Sequence, residues 1–141
     1  MTVSARRLQL AIVIGLLVFL GGIGRDLGWH ATHDTQREFE TASTQVVVHW
    51  LLWVGALMLL VTGVIALRRP DTERGHRGFS IAVLCAVVYA VVSVWHFIEH
   101  ANGNDPQVAH VFLDISAAGI VAATVAGLVL TRRGARPLDA Y

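Results

Sequence analysis

Four long apolar runs, at residues 8–24, 46–67, 79–97 and 111–131, leave this chain few ways to fold. Each approaches or exceeds the roughly 20 residues that a helix needs to cross a hydrocarbon core about 30 Å thick. Inside such a core every backbone N–H and C=O must be paired within the segment, and the helix does this on its own. Only Asp114 interrupts the four runs with a formal charge. At 55% hydrophobic and 15% charged residues, a chain of 141 is too apolar for an ordinary soluble domain. The expected fold class is an all-α integral membrane protein. Residues 1–141 would form a single domain, a four-transmembrane-helix up-down bundle with spans near 8–28, 46–67, 79–100 and 109–131.

The charges that remain are sorted by position. All eleven basic residues are arginine, and nine of them (Arg6, Arg7, Arg68, Arg69, Arg74, Arg77, Arg132, Arg133 and Arg136) flank the runs on one side. Arg25 and Arg37 fall on the other, together with Asp26, Asp34, Glu38, Glu40, Glu99, Asp105 and Asp114. By the positive-inside rule both termini are cytoplasmic, and the loops 25–45 and 101–109 face the non-cytoplasmic side of the cell membrane. Arg6-Arg7 before an apolar stretch also resembles the start of a signal peptide. That stretch exceeds the usual h-region of roughly 7–15 residues and no A-x-A site follows, so it reads as a retained span. The inner loop 68–78 contains Pro70 and two glycines and reads as a solvated turn, with His76 a solvated loop residue. Asn-Gly-Asn-Asp-Pro at 102–106 has the composition of a tight outer turn.

Histidine is what the membrane argument does not account for. Six of the seven (His30, His33, His49, His96, His100 and His110) map to the outer side. In Trp95-His96-Phe97-Ile98-Glu99-His100 the two histidines are i and i+4, and Glu99 is i+3 from His96. On a helix these three side chains share an arc of roughly 100°. His110 and Asp114 repeat the i, i+4 spacing at the start of the fourth run, and His49 begins the second. Asp26, His30, His33 and Asp34 fall on one face if the first helix continues past Gly28. Polar groups at this depth are costly and normally face a bundle interior, a cavity or a partner. Taken one at a time, each histidine could be a headgroup-level residue, as Trp29, Trp50, Trp53 and Trp95 are expected to be. Six on one side, with carboxylates beside the pairs, favour a metal site.

The candidate ligands are His49, His96, Glu99, His100, His110, Asp114, His30 and His33. Imidazole with carboxylate suits a divalent transition metal such as copper, zinc or iron, while the lone Cys85 lies mid-span and supplies no thiolate at that level. So many donors exceed one tetrahedral site and admit a second metal or an open position. The His pairs with Asp at outer helix ends resemble the copper-binding helical subunit of particulate methane and ammonia monooxygenases in ligand type and membrane setting. The Asp-to-His order around residues 96–114 differs from that family, and no residue role is carried over.

Trp29-His30-Ala31-Thr32-His33-Asp34 echoes the 95–100 stretch, and Gly63 and Gly127 each precede an arginine by five residues. Both features suggest two similar hairpins related by an axis along the membrane normal. In span three, Cys85, Tyr89, Ser93 and His96 form a polar stripe, read first as an interhelical seam.

The function expected is a small integral-membrane metalloprotein, either an oxidase-like enzyme or a metal-binding accessory protein. Two other readings remain: a single-haem cytochrome with His49 and either His96 or His100 as axial ligands, and a cofactor-free pH-responsive subunit. The partners expected are the lipid bilayer and, on the apolar faces, a second copy or a partner membrane subunit. Nucleic acid is not expected, because the only arginine clusters are those at inner helix ends, and no P-loop, GxGxxG or GxSxG occurs.

Overall fold

A computed structural model describes residues 5–32, 42–104 and 107–134. Four helices account for nearly all of them: α1 (Ala5–Thr32), α2 (Ala42–Leu67), α3 (His76–Ala101) and α4 (Gln107–Gly134). No strand occurs among the described residues. At about 1.5 Å per residue, the 28 residues of α1 span about 42 Å. All four helices are long and apolar enough to cross a membrane.

Their surfaces follow membrane rather than aqueous logic. Only 33% of each span's most apolar window is buried inside the protein, yet the outward positions remain apolar. Leu10, Leu17, Leu57, Leu84, Val91 and Ile115 are all exposed. In water this would be one continuous aggregation-prone surface. Against lipid tails it costs nothing, which supports a multi-pass membrane protein.

Packing is pairwise. α1 lies along α2 and α3 along α4, and the α2–α3 contact joins the pairs, whereas α1 and α4 touch at only a few positions. Small residues allow the close approaches. A Cβ added at Gly55 would lie 2.6 Å from the backbone of Phe19, and one at Gly78 would lie 2.6 Å from the backbone N of Gly127. Phe19, Phe79 and Ile120 fill the interior, and Phe19 meets Tyr89 edge-on with ring centroids 5.5 Å apart. Three hydroxyls inside the helices bond back to their own turns, Thr62 to the Met58 carbonyl, Ser116 to Phe112 and Thr131 to Gly127. No polar partner from a neighbouring helix is then needed.

The connection between α2 and α3 is more ordered than the solvated turn expected from its composition. Pro70–Gly75 forms a 3-10 helix, and α3 already begins at His76. Thr72 is only 1% exposed, and its hydroxyl donates to the carbonyls of Ala66 and Arg69, which ties the turn to the end of α2. Arg69 forks onto Asp71 through Nε at 2.9 Å and Nη2 at 2.5 Å. His76 is half-buried rather than solvated, with Nε2 3.1 Å from the Arg69 carbonyl. Apolar spacing cannot anticipate this, since it rests on one threonine returning to the preceding helix. Thr72→Val should lower stability by about 1 kcal/mol, the typical net worth of a buried hydrogen bond. Thermal unfolding in detergent would measure it.

After α3, the described residues 102–104 turn as their composition suggests. Gly103 has φ of 77°, a conformation that glycine adopts without strain. The Asn104 N–H donates to the Glu99 carbonyl at 2.9 Å and the Gly103 N–H to the His100 carbonyl at 3.0 Å. This paired closure is the Schellman motif, and it ends α3 one residue beyond His100.

Candidate metal centre

Helix α1 does continue past Gly28, reaching Thr32, so Asp26 and His30 lie one turn apart on one face. On α3 the same i, i+4 relation holds His96 and His100 together over the last turn. His49 comes from α2, and His110 from the first turn of α4. Helical spacing and pairwise packing then produce two groups.

The first comprises His96, His100 and His110. The Nε2 atoms of His100 and His96 are 3.0 Å apart, and those of His96 and His110 are 3.3 Å apart. The rings meet edge to face, with centroids 4.3 Å apart for His96–His100 and 4.5 Å for His96–His110. His96 is 5% exposed and sits at the centre. The second group comprises Asp26, His30 and His49, with Asp26 Oδ1 2.9 Å from His49 Nε2 and 3.5 Å from His30 Nε2. The His49 and His96 rings, 6.1 Å apart and nearly perpendicular, link the groups.

A cavity of about 680 Å³ is walled mainly by α1 and α4, which touch each other at few positions, and donors from both groups line it. Its walls include Asp26, His30, His49, His96, His110 and Asp114, with Tyr89 and apolar residues such as Leu52, Leu113 and Val121 deeper. A separate, apolar pocket of about 400 Å³ between α2 and α3, lined by Trp53, Leu57, Leu60 and Phe97, contains none of the histidines.

Of the residues singled out by sequence, His96, His100 and His110 converge, and His30 and His49 converge elsewhere. Glu99 joins neither group: its Oε2 accepts from Asn104 Nδ2 at 2.7 Å, so it is held at the turn after α3. Asp114 lies on the cavity wall one turn beyond His110, outside both groups. His33 lies outside the described residues. Asp26 was not among the candidate ligands, although its i, i+4 relation to His30 was the available signal. Of the polar stripe on α3, Tyr89, Ser93 and His96 do face inward and are buried.

Both groups could hold a metal ion by composition and spacing. Bonds of about 2.0–2.1 Å from a metal to imidazole nitrogen, at angles of about 90–110°, set donor nitrogens roughly 2.9–3.4 Å apart. The two separations at His96 fall in that window. No protein-family model, curated protein or solved structure matches the chain.

Proposed function

We propose that this chain is a small integral-membrane metalloprotein that binds a divalent transition metal, zinc or copper by donor type, through His96, His100 and His110. The observation that carries this reading is the contact pattern of His96, whose Nε2 faces two other Nε2 atoms at 3.0 and 3.3 Å. An imidazole nitrogen carries either one proton or one lone pair, so His96 can complete only one of these contacts as a hydrogen bond. An ion at the centre accepts a lone pair from each of the three. Three protein ligands leave a fourth position open, an arrangement shared by catalytic and transfer sites.

The haem alternative receives less support. Haem iron would need His49 Nε2 and an α3 histidine Nε2 to point at one centre, whereas the first addresses Asp26, His96 addresses His110 and His100, and His100 addresses His96. The wider setting belongs to the same proposal: one four-helix up-down bundle with both termini cytoplasmic and the histidines at the non-cytoplasmic face. The arginine distribution supports that orientation. The contacts of Gly22 with Leu52 and of Gly15 with Leu59 support opposite directions for α1 and α2.

Metal analysis of the purified, detergent-solubilised protein tests the proposal. Zinc or copper should be retained or taken up at neutral pH, and binding should weaken on acidification. Ligation requires deprotonated imidazole, so protons compete with the ion. With three such ligands the affinity can fall by up to about 1,000-fold per pH unit once all three titrate, about tenfold for each proton displaced. Protein that is metal-free and binds neither added zinc nor added copper would sink the reading. In that case a pH-dependent change in helix contacts would favour the cofactor-free subunit, and a Soret band would favour the cytochrome.

A further inference from the structure

The second group differs from the first in the one property that selects among metals, its donor chemistry. Asp26 supplies a carboxylate oxygen and His30 and His49 each an imidazole nitrogen, with Oδ1 at 3.5 and 2.9 Å from the two nitrogens. Two histidines and one carboxylate, with coordination positions left open, suit ferrous iron and, through the harder oxygen donor, manganese. The three-histidine group offers imidazole nitrogen alone and has no hard donor, which favours zinc or copper. All three ligand atoms of each group lie within 4.8 Å of one another, and no residue belongs to both groups.

The surroundings of Asp26 point the same way. A carboxylate on a membrane-level helix is costly unless compensated, and its ion-pair partners among the described residues are the two imidazoles. A divalent cation among these three atoms would supply the missing positive charge. The open positions would face the cavity that His96 and His110 also line. A cavity of that size admits small uncharged molecules beside the ion.

We infer that Asp26, His30 and His49 form a second, separate site for a ferrous or manganous ion, with open coordination positions directed into the shared cavity. The inference concerns residues distinct from the three-histidine site and stands or falls apart from it.

The test loads the whole protein with one equivalent of zinc, then adds Fe(II) anaerobically, with nitric oxide as a spin probe for an open position on iron. Wild-type protein should take up one equivalent of iron in addition to zinc and give a high-spin ferrous–nitrosyl EPR signal. Asp26→Asn and His30→Ala should each weaken iron binding by about 100-fold or more and remove the signal, while zinc is retained. His30 is at an exposed helical position, so this variant keeps the test independent of any folding defect in Asp26→Asn. His100→Ala should lose zinc and keep iron. Iron uptake that is absent in the wild type, or unchanged in both Asp26→Asn and His30→Ala, overturns the inference. So does a single ion lost equally in His30→Ala and His100→Ala, since that describes one shared site. Zinc retained without iron leaves the three-histidine proposal standing alone, and iron retained without zinc does the reverse.

Discussion

His96→Ala should weaken zinc or copper binding by more than 100-fold. Loss of a hydrogen-bonding group behind a metal ligand typically costs about 10–100-fold in affinity, and the loss of a ligand itself should cost more. His96 is the variant of choice because its Nε2 lies against both partners, whereas the His100–His110 rings are the more distant pair, with centroids 5.9 Å apart. Isothermal titration or competition with a chromophoric chelator reads the effect. The fold should survive, because the truncated side chain borders an existing cavity. An affinity within a few-fold of wild type would remove His96 from the site. Glu99→Gln makes a useful contrast. Its side chain can still accept from Asn104, so metal affinity should change little.

The second large effect is on assembly of the helices. Gly55→Leu should cost roughly 3 kcal/mol or more, at the upper end of overpacking penalties. The added Cβ alone would stand 2.6 Å from the Phe19 backbone, and a backbone cannot rotate away as a flexible side chain can. Helices α1 and α2 would therefore have to separate. Gly78→Leu should act likewise on the α3–α4 contact through Gly127. Gly21→Ala supplies the control, since nothing lies within 4 Å of its added Cβ. Alanine there should be neutral or stabilising, by up to about 1 kcal/mol of helix propensity. Thermal unfolding or monodispersity in detergent separates the three variants, and equal behaviour of Gly55→Leu and Gly21→Ala would refute the packing argument.

The membrane spans were legible because their signal is sustained. About twenty apolar residues in a row describe one physical object, and all four appear as helices. The ends were less legible. Helix α1 runs to Thr32 through a polar stretch, and the connection between α2 and α3 is shaped by Thr72. In the candidate site, i, i+4 spacing correctly paired His96 with His100, because that relation is internal to one helix. It also placed Glu99 on the same arc. Glu99 instead follows the turn that Gly103 permits and meets Asn104, a tertiary choice that spacing cannot show. The histidines expected on one side divide into two groups because α1 packs on α2 and α3 on α4, and hardly at all across the α1–α4 gap. Which neighbour a helix chooses depends on the glycine contacts, and apolar runs do not encode it in any one residue.

That division also revises the internal likeness of the two halves. Aligning Trp29-His30 with Trp95-His96 places the echo one helical turn away from the functional correspondence. In space, Asp26, His30 and His49 stand to α1 and α2 as His96, His100 and His110 stand to α3 and α4, a one-turn pair on the earlier helix and a single donor on the later one.

Each donor group is thus owned entirely by one helix pair, and the pairs are bound mainly along the α2–α3 seam. A change in how the pairs pack along that seam would alter the distance from one group to the other and leave the geometry inside each group untouched.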